Sequence, residues 1–245
     1  MTPIILIPSR LRSSRLPRKP LAIINGEAMI VHVWRRAIEA NLGPVLVACE
    51  DQEIADVILS AGGNALLTGN HHNSGTDRIF EALQIIDSDQ NHEIIINLQG
   101  DLPAIDPKVL HEIIKPFENE DVDICTIASP LKEKDVHDKN IVKVRVNSVP
   151  KESMFFAQSF FRSGEENVDS SCYHHIGIYA YRRHIIEKFV SLPPCSAELS
   201  LGLEQLRAIE AGMKIYVGFV DTFPLGVDTP SDLVRVRAEM SSGLL

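Results

Sequence analysis

A cluster of cations follows the first apolar segment of the chain. Residues 10–19 read R-L-R-S-S-R-L-P-R-K and contain five cations and no acid. They contain no glycine, so this stretch is neither a dinucleotide-binding G-x-G-x-x-G turn nor a Walker A loop. Side chains must therefore supply the charge, and Arg10, Arg15 and Lys19 have the chemistry to clamp a triphosphate. The alternative is a solvated basic loop.

Two aspartates lie where a divalent cation would be useful. Asp101 follows the apolar run I-I-I-N-L and the pair Gln99-Gly100, and Asp228 lies in G-V-D-T-P. A carboxylate at a strand end can hold a cation that bridges phosphates. Each residue also has a purely structural interpretation. Asp101 could cap a turn, and Asp228 could oppose the dipole of the helix that follows it.

Three further segments carry polar side chains in suggestive positions. In H-H-I-G-I-Y-A-Y-R, strand alternation places His175 and Tyr179 on one face, which suits either a polar sugar pocket or a structural role. Glu204 and Gln205 lie within an amphipathic helical pattern, where solvated surface residues are the usual interpretation. Ser74 opens S-G-T-D-R, where a helix start can present N–H groups to an anion or be a plain N-cap.

The first half of the sequence alternates between short apolar runs and helical patterns. Buried strands are predicted at 4–8, 45–49, 64–67 and 93–98, with helices at 27–41, 51–61, 77–86 and from 106. This alternation predicts an α/β fold with a parallel sheet and helices on both faces. The cationic loop and Asp101 then lie beyond the carboxyl ends of strands, where open α/β sheets bind ligands.

The rhythm changes after residue 120. Strands are predicted at 123–130, 141–146, 154–158, 175–182 and 214–220, with few helices between them, so antiparallel pairing is expected. One helix is predicted over 200–211, and T-P-S-D at 229–232 predicts an N-cap and a first-turn proline for the last helix. With no repeat or linker, residues 1–245 are predicted to form a single domain.

Composition and charge exclude several classes of function. The net charge of −9 argues against a general nucleic-acid or anionic-membrane binder. The four cysteines form no C-x-x-C pair, so a zinc or redox motif is not predicted. The N-terminus lacks a signal peptide pattern, and no stretch approaches the roughly 20 apolar residues needed to cross a bilayer. We therefore expect a cytoplasmic protein with no nucleic-acid or membrane partner.

The order of these motifs is more specific than any one of them. From end to end the sequence resembles the 3-deoxy-manno-octulosonate (Kdo) cytidylyltransferases. The segments I-P-S-R-L-R-S-S-R-L-P-R-K-P-L, H-H-N-S-G-T-D-R, N-L-Q-G-D-L-P, H-H-I-G-I-Y-A-Y-R, L-E-Q-L-R and G-V-D-T-P-S-D-L all fall at family positions. The resemblance implies a Rossmann-like, three-layer nucleotidyltransferase fold with a glycosyltransferase-A-type mixed sheet. It also implies a homodimer that makes CMP-Kdo for lipopolysaccharide synthesis.

The resemblance also implies roles for individual residues. Residues 1–120 would bind CTP and residues 121–245 would bind the acidic sugar and form the dimer. Lys19, Arg15 and Asp101 would be catalytic, and Asp101 and Asp228 would hold Mg²⁺. The nucleotide would contact Pro8, Arg10, Ser14, Arg15, Lys19, Ser74, Arg78 and Gln99. The sugar would contact Gln158, His175, Tyr179, Glu204 and Gln205.

Two departures from the family pattern affect these expectations. Arg18 stands where the family loop has glycine, and Gln158 stands where the family has an arginine near the sugar acid, with Arg162 as a substitute cation. The Gln158 departure leaves open a Kdo variant, such as 8-amino-Kdo, or another acidic sugar as the substrate. A glycosyltransferase and a non-catalytic nucleotide-binding homologue are the rivals from other classes.

Overall fold

The computed structural model of the protein describes residues 2–149, 154–162, 164–221 and 223–242. The chain forms two compact units, one of Met1–His111 with Pro224–Leu245 and the other of Glu112–Phe223. The functional division into residues 1–120 and 121–245 stays a prediction. In the described part of the chain, no helix is long and apolar enough to cross a membrane.

The first unit is built on a parallel sheet. Its strands are β1 (Pro3–Ser9), β2 (Ile23–Ile24), β3 (Glu27–Ala28), β4 (Val45–Cys49), β5 (Ala65–Leu67) and β6 (Ile94–Asn97). The parallel strands follow the order β5-β4-β1-β6. All residues of β4 and β6 are buried, as expected for a parallel sheet covered on both faces. The four predicted strands are therefore confirmed.

The helices that begin in this unit follow the predicted alternation. They are α1 (Met29–Glu39), α2 (Gln52–Ser60), α3 (Gly75–Ile86) and α4 (Pro107–Ile114), with a short 3-10 helix at Lys19–Leu21. The helix predicted over 27–41 begins two residues late, because strands β2 and β3 pair as a hairpin before it. Asn25 and Gly26, with φ of 48° and 91°, form the hairpin turn. Asn-Gly is a strong signal for such a turn.

The second unit contains mixed strand pairing. Its strands are β7 (Ile124–Pro130), β8 (Lys143–Val149), β9 (Met154–Phe161), β10 (Cys172–Arg182) and β11 (Ile215–Phe219). Strand β10 runs antiparallel to β7 and to β8, and β8 and β9 are also antiparallel. Strand β11 runs parallel to β7 and antiparallel to β9. The expected antiparallel pairing after residue 120 is confirmed.

The helix predicted over 200–211 is wrong as a single element. The unit contains α5 (Arg183–Ser191), α6 (Ser196–Leu201) and α7 (Gln205–Glu210), with short 3-10 helices at Lys115–Glu118 and Glu133–Asp135. Gly202 ends α6 with a φ of 63°, the left-handed region in which glycine commonly ends helices. The amphipathic pattern continues across this break, which is why periodicity alone predicts one helix.

The last helix, α8 (Pro230–Ser241), folds with the first unit. Thr229 and Asp232 form the predicted capping box, and Pro230 occupies the first turn. An apolar cluster fixes this helix beside the hairpin and the cationic loop. The cluster consists of Ile24, Met29, Val227, Leu233 and Val236, with Leu16, Ala22, Leu225 and Met240 packed against it.

Candidate active site

The cationic loop after β1 is held by backbone contacts at both of its ends. The N–H of Leu11 donates to the Asp51 carboxylate at 2.8 Å. The N–H of Arg18 donates to the Leu11 carbonyl at 3.2 Å. The Leu16 side chain packs into the apolar cluster that contains Val227. The loop is therefore anchored by its apolar residues, while Arg10, Arg12, Ser14, Arg15 and Arg18 are exposed.

Lys19 brings the two predicted metal ligands together. Its ammonium donates to Asp101 Oδ2 at 2.8 Å and to Asp228 Oδ1 at 3.1 Å. Its side chain is only 16% exposed. Burial opposes the charge, but the carboxylates of Asp101 and then Asp228 outweigh it and raise the pKa of Lys19. One positive charge therefore neutralises part of an acidic pair drawn from distant parts of the sequence.

The loops that carry the two aspartates are joined through the backbone. The N–H of Val227 donates to the Asp101 carbonyl at 2.9 Å. The N–H of Asp228 donates to the Asp232 carboxylate at 3.2 Å, and Asp232 closes the capping box of α8. The capping box at the start of the last helix thus holds the backbone of Asp228 in place next to Asp101.

These two carboxylates fit a magnesium ion by their chemistry. Both lie within hydrogen-bonding distance of the same ammonium, so they already converge on a single cation. Mg²⁺ takes oxygen ligands and commonly uses one or two carboxylates together with substrate phosphates. Arg15 also lies 3.2 Å from Asp228 Oδ1, which places a second cation at the same point.

The end of β1 is in close contact with Gly75, the first residue of α3, and with Gly100, in the loop after β6. A Cβ at Gly100 would lie 2.9 Å from the Pro8 carbonyl oxygen, and one at Gly75 would lie 3.1 Å from Pro8 Cγ. Only glycine fits the first of these positions without displacing the backbone. Residues 8, 75 and 100, drawn from three predicted motifs, are therefore brought together.

The neighbouring polar residues have defined local partners. Ser74 is the N-cap of α3, and its hydroxyl accepts from the Asp77 N–H at 3.1 Å. The Gln99 amide donates to Asn97 Oδ1 at 3.2 Å. Across the described residues, no hydrogen bond or ion pair engages the side chains of Arg10 or Ser14. Those two side chains are free to meet a ligand.

Arg78 is buried within the first unit. Its guanidinium donates to Glu50 at 3.0 Å, to Thr68 Oγ1 at 2.6 Å and to the Gly69 carbonyl at 3.1 Å. It therefore ties the end of β4 to the loop before α3, while its predicted contact with the nucleotide stays a prediction. The sequence analysis missed Glu50, which also pairs with Arg12 at 3.3 Å. Its place directly after strand β4 is the signal that could have found it.

Arg18 explains why a glycine is expected at its position. Its φ of 57° lies in the left-handed region, which side chains other than glycine adopt at a cost. Its guanidinium is exposed and pairs with Glu53, which is also exposed. The extra charge at this position is therefore directed to α2 and not to Asp101 or Asp228.

Three of the predicted sugar ligands line one small cavity in the second unit. Tyr179, Glu204 and Gln205 surround it together with apolar side chains. The Tyr179 hydroxyl is buried and has no partner of hydrogen-bonding geometry among the described residues. Burial raises the pKa of Tyr179 well above its usual value. A buried hydroxyl without a partner is costly unless a ligand or water meets it.

His175 lies beside this cavity in a defined tautomer. Its ring centroid is 5.5 Å from that of Tyr179, and its Nε2 lies 2.9 Å from Thr126 Oγ1. The Thr126 hydroxyl donates to the Ile178 carbonyl at 2.8 Å, so it must accept from His175 Nε2–H. His175 Nδ1 is then an acceptor. Burial, followed by the charge of His174, lowers the pKa of His175 to about 3.

Gln158 does not line the cavity of Tyr179, Glu204 and Gln205. It is exposed on β9 and lines an open groove with Arg145, Ser159 and several acids. The Arg145 guanidinium in that groove pairs with Glu166 at 3.3 Å and with Asp169 at 3.0 Å. The substitute cation Arg162 donates to the carbonyls of Lys139 and Asn140. Its guanidinium is thus engaged by the backbone.

Comparisons with known proteins agree with this fold. A family model described as cytidylyltransferase matches residues 4–215. A solved structure of a CMP-2-keto-3-deoxy-manno-octonic acid synthetase complexed with CTP is 36% identical, with a TM-score of 0.89, and the match covers 99% of this chain and 100% of that one. A 4-diphosphocytidyl-2C-methyl-D-erythritol synthase from Anaerococcus prevotii shares the fold, with a TM-score of 0.64 at 12% identity.

Curated relatives give a finer assignment. The 3-deoxy-manno-octulosonate cytidylyltransferase of Methylobacterium radiotolerans is 49% identical over 237 residues, 96% of both chains. The protein of the same name from Rhizobium etli is 48% identical over 242 residues, 98% of this chain and 95% of the relative. The fold and these matches define a nucleotidyltransferase of the cytidylyltransferase class. Within that class, the chain belongs to the 3-deoxy-manno-octulosonate cytidylyltransferase family.

Proposed function

We propose that this enzyme joins the α-phosphorus of CTP to the anomeric hydroxyl of Kdo and releases pyrophosphate. The observation that carries the proposal is the Lys19 ammonium, held between Asp101 and Asp228 at the base of a cationic loop. This arrangement offers positive charge for a triphosphate and oxygen ligands for its counter-ion. The family membership supports CTP and Kdo as the substrates.

The residues of the first unit would position the triphosphate. Arg10 and Ser14 are exposed, and their side chains have no hydrogen-bond or ion-pair partner in the described part of the chain, so they can bind phosphate oxygens without breaking a contact there. Arg15 and Lys19 would exchange their carboxylate contacts for phosphate contacts, which places both cations on the triphosphate. Mg²⁺, held by Asp101 and Asp228, would supply Lewis-acid stabilisation of the phosphate charge.

The chemistry itself needs little covalent work from the protein. The anomeric hydroxyl loses its proton to water, and its oxygen forms a bond to the α-phosphorus. The bond between the α-phosphorus and the oxygen that bridges to the β-phosphate breaks, and charge grows on the leaving pyrophosphate. Once they contact the triphosphate, Lys19 and Arg15 would stabilise that charge. Removal of one such donor typically costs about 10²- to 10³-fold in rate.

The residues of the second unit would bind the sugar. Tyr179 offers a buried hydroxyl, and His175 Nδ1 offers an acceptor for a sugar hydroxyl. With a pKa of about 3, His175 is neutral near pH 7, so it would serve as a hydrogen-bond partner and not as a charged group. Glu204 and Gln205 supply further polar atoms at the same cavity.

Assembly, compartment and pathway form a separate part of the proposal. The family resemblance supports a cytoplasmic homodimer that supplies CMP-Kdo for lipopolysaccharide synthesis. Sedimentation equilibrium of the purified enzyme tests the assembly. A single species of twice the chain mass of 27.2 kDa is expected, and a monomer over the whole concentration range would contradict the dimer.

A substrate panel tests the reaction. Pyrophosphate release is measured with CTP and Mg²⁺ in the presence of Kdo, 8-amino-Kdo or a nonulosonic acid, each with and without EDTA. The expected result is metal-dependent release that is fastest with Kdo. Release with another acid only would move the substrate and implicate Gln158, whereas CTP binding with no release for any acid would contradict the proposed enzyme.

A further inference from the structure

A second cluster of ligating side chains lies in the first unit, outside the residues assigned to CTP. It consists of His71, His72 and Glu81. One donor atom of each residue lies within 4.8 Å of a donor atom of the other two. His72 Nε2 is hydrogen-bonded to the Glu81 carboxylate, and the two histidine rings are 4.3 Å apart. Two imidazoles and one carboxylate thus converge between the loop after β5 and helix α3.

The carboxylate of this cluster is oriented by the backbone. The N–H of Gly69 donates to Glu81 Oε1 at 3.2 Å and to Oε2 at 3.0 Å. Burial opposes ionisation of Glu81, but the hydrogen bonds from His72 and Gly69 outweigh it and lower the pKa of Glu81. The carboxylate is therefore charged near pH 7 and is fixed in direction.

Gly69 also makes room for the outer histidine. A Cβ at residue 69 would lie 2.4 Å from His71 Cε1 and 2.5 Å from His71 Nδ1. Any side chain at this position would push the His71 ring away from its present place. The cluster as it stands therefore depends on glycine at position 69, although the backbone there is of a kind that other residues can adopt.

This donor set differs in kind from the pair Asp101 and Asp228. Two imidazole nitrogens and one carboxylate are a known ligand set of zinc, whereas Mg²⁺ prefers oxygen. We propose that His71, His72 and Glu81 form a binding site for a transition-metal dication of the zinc class. The ion would replace the hydrogen bond between His72 and Glu81, with the proton of His72 moving to Nδ1.

A metal at this point would act on the structure of the loop. His71 and His72 lie on the segment that ends at Ser74, the N-cap of α3, while Glu81 lies two turns into that helix. The metal would bridge segment and helix, and so fix the conformation in which Ser74 is presented. This inference does not depend on the proposed transfer reaction.

Zinc titration of the metal-free enzyme by calorimetry tests the site. Excess Mg²⁺ is present to occupy the acidic pair. One Zn²⁺ per chain is expected, and His71→Asn and Glu81→Gln should each weaken binding by at least about tenfold. Gly69→Ala should weaken it as well, because it displaces the His71 ring. His111→Asn, which removes an exposed histidine of the same unit, is the matched control and should bind zinc as the wild type does.

Cobalt supplies a second readout that does not require activity. Co²⁺ bound to the wild type should give visible absorption bands that His71→Asn alters, while circular dichroism shows that the variant is folded. Absence of saturable zinc binding would overturn the proposal. So would an affinity that is unchanged in both His71→Asn and Glu81→Gln, or one that is lost only in Asp101→Asn.

Discussion

The ammonium of Lys19 lies 2.8 Å from the carboxylate of Asp101, although 82 positions separate the two residues in the sequence. The same ammonium also contacts Asp228, at 3.1 Å. The three residues come from the loop after β1, the loop after β6 and the start of α8. The proposed reaction needs positive charge for the triphosphate and oxygen ligands for Mg²⁺. Lys19 supplies the first, and Asp101 and Asp228 supply the second.

The position of Lys19 predicts a large effect on turnover. Lys19→Met should lower kcat by about 10²-fold or more, because it removes the charge that the proposed reaction uses to stabilise the leaving pyrophosphate. Arg18→Gly is the control at the adjacent residue. It removes an exposed ion pair with Glu53, which solvent screens, and relieves a left-handed φ. It should retain activity within a few-fold, and steady-state kinetics would measure both variants. Equal losses in the two variants would contradict this role for Lys19.

Arg78 and Arg12 give a matched test of burial, since both pair with Glu50. The Arg78 side chain is 2% exposed, whereas that of Arg12 is 73% exposed. Arg78→Met should lower the free energy of unfolding by about 3 kcal/mol or more, because it leaves a largely buried carboxylate. Arg12→Met should cost less than about 1 kcal/mol. Urea denaturation of both variants measures the two changes in the free energy of unfolding. Similar decreases in both variants would show that burial does not make the Arg78–Glu50 pair more important for stability than the Arg12–Glu50 pair.

Tyr179→Phe separates sugar binding from folding. The hydroxyl has no partner of hydrogen-bonding geometry among the described residues, so its removal should change the free energy of unfolding by less than about 1 kcal/mol. If the hydroxyl meets the sugar, the KM for Kdo should rise about tenfold, and the KM for CTP should stay unchanged. Tyr216→Phe, on β11, makes the same change at a half-buried residue and should alter neither constant. A loss of stability without a change in the KM for Kdo would assign Tyr179 a structural role.

The buried histidines predict how stability depends on pH. Burial lowers the pKa of His175 to about 3 from an ordinary 6.5. Below pH 6.5, His175 is therefore protonated in the unfolded chain but stays neutral in the folded chain. The free energy of unfolding falls as the pH falls toward 3. The slope is at most about 1.4 kcal/mol per pH unit for this residue. His174, whose pKa burial lowers to about 4, acts in the same direction.

His175→Gln isolates this contribution. The variant should lose stability less steeply than the wild type between pH 6.5 and pH 4, measured by chemical denaturation at several pH values. Carboxylates titrate in both proteins, so the difference between the two curves carries the result. Parallel curves would show that His175 is not protonated on unfolding.

The sequence predicts the first unit well because its signals are local. Apolar runs of β-branched residues end at polar loops, and the strands that they predict are those of the structure. Periodicity misses the Asn25-Gly26 hairpin, because the helical pattern extends back to Glu27 and so covers the strand that follows the Asn-Gly turn. Gly202 has the same effect within 200–211, where one residue of left-handed φ divides a continuous amphipathic pattern.

The candidate site was predictable in its members but not in its contacts. The rule that ligands bind beyond the carboxyl ends of parallel strands places Lys19, Asp101 and Asp228 at one edge of a sheet. No sequence pattern, however, reveals that Lys19 bridges the two acids. Arg78 illustrates the opposite case, because a motif residue proves to be buried against Glu50, a partner without any motif. Side-chain partners over long sequence separations depend on packing, which composition and periodicity do not encode.

The fate of the α-phosphorus tests the central proposal most directly. The enzyme is incubated with Mg²⁺, Kdo and CTP labelled at the α-phosphorus, and the products are separated. The account predicts that the label passes to a CMP-sugar in amounts equal to the pyrophosphate released, and that Asp101→Asn makes none, while Asp89→Asn, an exposed aspartate in the same unit, behaves as the wild type does. Label recovered as CDP or free CMP, or normal transfer by Asp101→Asn, would contradict it.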